Sequence, residues 1–318
     1  MSAEAAALLL GAEQPPRSRA AAARTLAQAA SAGEPVPESV RAQLPALLED
    51  AQPEVRRAAT VLASALLDGA AREEAVRARL ADPEAEVRLE AAGRLADLGE
   101  PGLRGALAGM LEDPSFEVRF EAARGIASLG HGAGLEVLVE ALDRAPLRFR
   151  ALGALGELAD ARALPAVQKL FGRWLLPDFE RTQAAGVLAR LGEPKGAAHL
   201  LARTRKKWSP DRALAAELLG EVQAAGALER LREMVQDAGD VNRGAAARGL
   251  GRLGDAAALP WLTALLEDTS APEDFRQDAA EALCLLGLPE ARGAVERALP
   301  GFSAEVQAEL RQTLQETA

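Results

Sequence analysis

The sequence predicts an all-α fold, a right-handed α-solenoid of about ten antiparallel helical hairpins. Three observations carry this expectation. DPEAEVRLEAAGRLADLG, from Asp82 to Gly99, and DPSFEVRFEAARGIASLG, from Asp113 to Gly130, share one skeleton and start 31 residues apart. The apolar residues inside that skeleton recur with the period of an α-helix. The composition is 49% apolar but only 3% aromatic, with no Tyr. Alanine and leucine, which lose little on entering a helix, carry the apolar fraction.

Arg88 sets the register. Equivalent arginines follow at Arg119, Arg148, Arg181, Arg212, Arg243 and Arg276, in steps of 31, 29, 33, 31, 31 and 33 residues. Three residues after each stands alanine, from Ala91 to Ala279, seven times in seven. Seven after each stand Leu95, Ile126, Leu155, Leu188, Leu219, Leu250 and Leu283. Ten after each stand Leu98, Leu129, Leu158, Leu191, Val222, Leu253 and Leu286. Positions +3, +7 and +10 share one side of a helix turning about 100° per residue. Gly99, Gly130, Gly192, Gly254 and Gly287 follow the stripe, as at helix C-termini. Position +8 is always small: Ala96, Ala127, Gly156, Ala189, Gly220, Gly251 and Cys284. It predicts close approach to the next copy of the helix, because an interior glycine otherwise costs about 0.5–1 kcal/mol.

A second apolar segment precedes each stripe, as in LRGALAGMLED and LPWLTALLED. Each unit is therefore a hairpin of a first helix, a turn often holding Asp or Pro, and a second helix. Arg19, Arg56 and Gln307 mark fainter units at the ends. One amphipathic hairpin cannot bury its own apolar face, whereas a stack of copies buries each face against the next. The chain is expected to be one solenoid domain over 1–318, with clear repeats at 71–288 and atypical capping units at 1–70 and 289–318.

At these residues the chain resembles the HEAT-repeat proteins, in the short bacterial type called PBS-lyase-like HEAT repeats. Leu-Pro pairs at Leu44-Pro45, Leu164-Pro165 and Leu259-Pro260 match the opening of the first helix. An Asp six residues before the marking Arg also matches, at Asp50/Arg56, Asp82/Arg88, Asp113/Arg119 and Asp237/Arg243. The resemblance implies a ladder of Asp–Arg hydrogen bonds between neighbouring repeats, with the second helices lining a concave surface. Asp143 stands five before Arg148, and Arg181 and Arg212 lack an Asp at six. The ladder is expected to break at these units, with a change of superhelical pitch.

The net charge of −10 disfavours a general nucleic-acid binder, which carries a basic face. One cysteine, Cys284, excludes an internal disulfide framework and a Cys-based zinc site. Its small-flank position makes it a packing residue. The opening MSAEAAALLLGAEQPPRSRA lacks a basic n-region and breaks its apolar run early, so it does not read as a signal peptide. No apolar run is long enough for membrane insertion. These features predict a cytoplasmic protein. Only two histidines occur, His131 in a turn and His199 in a first helix, and neither belongs to a ligand cluster. The histidine–glutamate pairs of the metal-dependent HEAT hydroxylases have no counterpart. No phosphate loop occurs. No catalytic residue, metal, cofactor or small-molecule substrate is expected.

Two surface features stand out. Positions +2, +5 and +9 point away from the core stripe. They carry Glu90 and Asp97; Glu121, Arg124 and Ser128; Arg150 and Glu157; Gln183 and Arg190; Glu217 and Glu221; Arg248 and Arg252; Asp278 and Glu281. The sign alternates between units, whereas a polyanion reader shows one sign. Position +1 adds Leu89, Phe120 and Phe149. Glu90, Phe120, Glu121, Arg124, Phe149, Arg150, Arg190, Glu217, Arg248 and Arg252 are therefore the candidate contacts for a partner protein. The aromatics would anchor it and the charges set its selectivity. The second feature is RTRKKWSPDR, in a chain with only four lysines. Arg203, Arg205, Lys206, Lys207 and Trp208 are candidates for an anion contact, the alternative being a solvated helix C-terminus whose basic residues complement the dipole. The function expected is a non-enzymatic scaffold or adaptor. The alternatives are a HEAT-type DNA glycosylase or other nucleic-acid binder, and a phycobilin-lyase-like enzyme or chaperone.

Overall fold

The computed structural model describes residues 1–317 and divides the chain into two compact units, Met1–Leu147 and Arg148–Ala318. The described residues form α-helices and short 3-10 turns, with no strand. The first unit holds α1 (Ala3–Ala7), α2 (Pro16–Ser31), α3 (Glu38–Leu48), α4 (Pro53–Leu66), α5 (Gly69–Arg77), α6 (Ala85–Leu98), α7 (Arg104–Gly109), α8 (Phe116–Ser128) and α9 (Leu135–Ala141). The division falls in the first turn of α10 (Ala145–Leu158). The second unit continues with α11 (Leu164–Phe171), α12 (Asp178–Arg190), α13 (Pro194–Thr204), α14 (Arg212–Glu221), α15 (Ala227–Gln236), α16 (Arg243–Leu253), α17 (Leu259–Glu267), α18 (Glu273–Leu285), α19 (Pro289–Ala298) and α20 (Ala304–Glu316). Odd-numbered helices are the first helices of the repeats and even-numbered ones the second, in ten sequential pairs.

The stripe behaves as its period requires. Every +3 alanine and every +7 residue is buried. The +10 residues are only half-buried, because they lie in the last turn of the helix or just beyond it. Gly99, Gly130, Gly192, Gly254 and Gly287 all adopt positive φ, between 62° and 81°. Ala159 and Gln223 occupy the same place in the units of Arg148 and Arg212 and are forced to φ 50° and 48°. Leu164-Pro165 and Leu259-Pro260 do open α11 and α17, each after a 3-10 turn whose preceding Asp160 or Asp255 accepts a backbone N–H. Leu44-Pro45 does not open a helix. Pro45 lies inside α3, which begins seven residues earlier at Glu38.

The small +8 position packs on position +6 of the next second helix. A methyl added at Gly220 would lie 1.9 Å from the Gly249 carbonyl oxygen, and one at Gly251 would lie 2.7 Å from the Ala282 Cα. A methyl at Gly125 would lie 2.6 Å from the Ala96 Cβ. Neighbouring backbones touch at these points, which only glycine or alanine allows.

The ladder explains the spacing of six. In the units of Arg56 and Arg88 the guanidinium binds the carbonyl of its own turn and the carboxylate of the following turn. Arg56 donates to Asp50 O at 2.8 Å and forks onto Asp82 at 2.7 and 2.8 Å. Arg88 repeats this with Asp82 O and Asp113, and Arg19 reaches Asp50. Each aspartate also accepts an N–H two residues on, from Gln52, Glu84 or Ser115, which closes its turn.

The expected break is mostly absent. Arg148 pairs with Glu180 at 2.8 Å. Arg212 forks onto Asp240 at 2.5 Å on both arms, with both groups buried. Asp240, not Asp237, is thus the ladder acid of that turn, and it also accepts Asn242 N–H. Asp237 caps Gly239 N–H instead. Arg243 sits beside Asp268 at 3.6 Å. Arg119 and Arg276 bind backbone carbonyls, and the unit of Arg181 differs most. Arg181 binds the carbonyls of Phe171 and Arg173, and buried Asp211 is held by Arg203, Ser209 and Thr182.

Burial alone would raise the carboxyls of Asp82, Asp113, Asp211 and Asp240, but their hydrogen bonds outweigh it and hold all four below the ordinary carboxylate range. As pH falls, the unfolded chain takes up these protons first. Their stabilisation is therefore complete above about pH 4, the unfolded value, and is lost as pH drops through the lower folded values. Thermal melts should show a plateau above about pH 4 and a steep fall below it. Asp240→Ala should flatten part of that fall and cost about 3–5 kcal/mol at neutral pH, because Arg212 stays buried without its counter-charge. In the opposite direction, Ala159→Gly and Gln223→Gly should each stabilise by about 0.5–1 kcal/mol in denaturant melts, by relieving the left-handed strain.

Candidate functional site

The second-helix face was expected to offer its charges outward. In both units these charges are instead largely matched within the chain. In the first unit Arg57 on α4 binds Glu90 on α6, which also takes Arg94. Arg124 on α8 lies 2.6 Å from Asp97 on α6 and 2.9 Å from Glu121. In the second unit Glu217 on α14 receives Arg248 at 2.6 Å and Arg252 at 3.0 Å from α16. Arg248 also reaches Asp278 on α18, and Glu221 receives Arg190 and Arg252. Sign alternates between hairpins because each second helix pairs with its neighbours. Reversing Arg248 and Arg252 would therefore disturb stability as well as any partner.

Phe120 is 0% exposed and belongs to the core, so the expectation that it anchors a partner does not hold. Glu121 is also buried. Position +1 faces the next hairpin in several units. Thr182 bonds Asp211 from there, and a methyl at Gly244 would meet the Asp278 carboxylate. Phe149 is the exception at 44% exposed. Arg150 is exposed on the same helix.

Phe149 stands at a groove of about 280 Å³ along α10, α12, α14 and α16, whose lining residues all lie in the second unit. Its apolar lining includes Phe149, Val187, Leu214, Leu218 and Val222. Glu157, Gln183, Arg190, Glu217, Glu221 and Arg252 supply its polar groups. The structure thus brings Phe149, Arg190, Glu217 and Arg252 of the expected set to one place. Glu90, Arg124 and Glu121 lie in the first unit, and Arg248 is not part of the groove lining.

Sequence reading missed why the groove exists. Position +5 carries Arg124, Glu217, Arg248 and Glu281 in four units and Gly93 in another, but only here do two successive units carry glycine, Gly153 and Gly186. A methyl at Gly153 would meet nothing within 4 Å, so the missing side chain leaves open space. Position +6, small at Gly125, Gly249 and Ala282, becomes Val187 and Leu218, which face the space. The run of glycines at +5 was the available signal. The Gln183 Oε1 atom is buried without a hydrogen-bond partner.

The basic turn is divided in two. Arg203 is 8% exposed and bound to Asp211 and Asp178, and Arg212 is bound to Asp240, so neither meets an external anion. Arg205, Lys206, Lys207 and Trp208 are exposed. His199 sits in α13 edge-on to Phe171 at 5.3 Å. Burial, aided by the nearby Arg203 and Arg181 charges, lowers its pKa. His131 lies 2.8 Å from Arg104 at a turn. Cys284 is buried in α18, and burial pushes its thiol pKa up. Among the described residues no group of three or more His, Cys, Asp or Glu could hold a metal, and no helix is long and apolar enough to cross a membrane.

The two phenylalanines should separate cleanly. Phe120→Ala should cost about 3–5 kcal/mol in denaturant melts, as for a fully buried Phe. Phe149→Ala, already partly in water, should cost about 1 kcal/mol.

The comparisons with known proteins agree with this repeat architecture. The HEAT repeats model matches residues 73–148 and 209–284, and the PBS lyase HEAT-like repeat model matches 147–172. No curated protein matches the sequence. Among solved structures, an engineered protein is 22% identical over 100% of this chain and 99% of its own, with a TM-score of 0.42. The complex of CpcE and CpcF of phycocyanin lyase from Nostoc sp. PCC7120 is 20% identical, covering 77% of this chain and 94% of that one, with a TM-score of 0.49. Human deoxyhypusine hydroxylase in complex with glycerol is 20% identical over 77% of this chain and 95% of its own, with a TM-score of 0.34. Likenesses this distant say nothing of activity. With its repeated stripe, its turn ladder and family matches over more than half its length, the chain belongs to the HEAT-repeat proteins, with repeats of the PBS lyase HEAT-like type.

Proposed function

We propose that this protein is a non-catalytic scaffold or adaptor that holds an extended segment of a partner protein in the groove along α10, α12, α14 and α16. The observation that supports this most is the groove itself, an apolar floor with charged edges on the face that core packing leaves over. Phe149 at its margin offers an aromatic anchor, the residue type that commonly dominates interface energetics. The Gln183 side chain lines the groove and adds an amide to its polar groups. The rim charges are already held in place by their neighbours, so less ordering entropy is lost on binding. Their mixed signs disfavour nucleic acid, which needs one sign throughout. The groove offers no metal cluster or nucleophile–base pair, so binding is the chemistry this site supports. We place the scaffold in the cytoplasm.

Gly153→Arg is the informative substitution. Open space at that position lets the side chain fill the groove, and losing a mid-helix glycine favours the helix by about 0.5–1 kcal/mol. Peptides selected from a displayed random library on the intact protein should bind it and lose at least about tenfold in affinity on Gly153→Arg, with thermal stability kept or raised. Phe149→Ala should weaken the same peptides. Selected binders indifferent to both substitutions would place the site elsewhere.

A further inference from the structure

The turns that join α11 to α12 and α13 to α14 carry the most exposed aromatic side chains of the second unit. Trp174 is 86% exposed and Trp208 is 85% exposed, with Leu175 beside the former. Large apolar groups this exposed belong to contact surfaces more often than to a resting surface. The third tryptophan, Trp261, is half-buried and lies 5.5 Å from the Arg232 guanidinium, so exposure is particular to these turns.

The two turns are fastened to each other. Arg203 bridges Asp178, at the start of α12, and Asp211, which immediately precedes α14. Asp211 is 0% exposed and also accepts from Thr182 on α12 at 2.5 Å. This is the unit where the ordinary ladder is replaced. The substitution ties the turn of Trp174 to that of Trp208: Asp178 stands four residues after Trp174 and buried Asp211 three after Trp208, and buried Arg203 joins the two.

Charge is unbalanced at the same place. Most arginines of the chain pair with carboxylates inside it, yet Arg205, Lys206 and Lys207 are exposed and have no ion-pair partner among the described residues. Three consecutive unmatched cations beside two open indoles, in a chain of net charge −10, form a local complement to an acidic ligand.

We propose that this turn edge is a second docking site, separate from the groove, for a short acidic segment of a protein that carries apolar side chains between its carboxylates. The indoles take the apolar side chains, and Arg205, Lys206 and Lys207 take the carboxylates. A long polyanion or an anionic bilayer fits less well. Asp178 stays half-exposed on the same edge and Asp237 is exposed at the following turn, so basic charge does not extend beyond the one turn.

The test uses the intact protein and fluorescein-labelled short peptides in which Leu and Phe alternate with Asp and Glu. Matched peptides with Lys in place of the acids serve as controls. The acidic set should bind saturably by anisotropy, weaken with added salt, and shift tryptophan emission to shorter wavelength. Lys206→Glu with Lys207→Glu, and Trp208→Ala separately, should each weaken binding at least about tenfold. These side chains are exposed, so melting should be unchanged. Gly153→Arg, which fills the groove, should leave this binding intact, so failure here and failure of the groove are distinguishable. The proposal is overturned if no acidic peptide binds, or if binding ignores the turn substitutions. Loss on Gly153→Arg instead would put the peptides in the groove. Binding of phosphatidylserine–phosphatidylcholine vesicles or a single-stranded oligonucleotide with the same dependence on Lys206, Lys207 and Trp208, in the absence of peptide binding, would reassign the edge to that ligand.

Discussion

The guanidinium–carboxylate contact that recurs between neighbouring repeats is the constraint on which the rest of the structure depends. Apolar burial drives the hairpins together, but it is non-directional. A stripe of alanine and leucine would pack almost as well if one hairpin slid along the next. The Arg56–Asp82 and Arg212–Asp240 forks admit no such sliding, because both arms must meet both oxygens. The same aspartates close their own turns by accepting N–H groups two residues on. One side chain thus sets the shape of a turn and the register of its neighbour.

With register held, small differences on the packing face become consequential. Gly220 against Gly249 and Gly251 against Ala282 let backbones touch. Where the +6 residue is Val187 or Leu218, the same face becomes lining for a groove; Gly153 at +5 leaves open space above it, while Leu218 packs onto Gly186. The cavity is therefore made in part by the side chain that α10 lacks at Gly153.

Electrostatics follow the same logic. Charged groups on adjacent second helices face one another at fixed distance, so opposite signs pair across hairpins, as Glu217 does with Arg248 and Arg252. Exposed pairs of this kind add little stability one by one, about 0.2–1 kcal/mol each. As a network they match most of the charges on the second-helix face, whereas three consecutive cations at the turn after α13, Arg205, Lys206 and Lys207, have no ion-pair partner among the described residues.

The sequence by itself determined the repeat, the helical stripe, the glycine C-termini and the alternation of charge. Each of these is local or periodic, and the periodicity of a helix maps spacing directly onto a face. It also determined which residues are small at the seam. Only the tertiary structure decided that Phe120 is core while Phe149 is open, although both stand at position +1. It decided that Asp240 rather than Asp237 receives Arg212, and that Arg203 lies buried between two aspartates while its neighbours Arg205 and Lys206 stay in water. The physical reason is the same each time. A residue's place on its own helix follows from spacing along the chain, but what it meets depends on side chains about thirty residues away, whose reach and volume no single repeat contains.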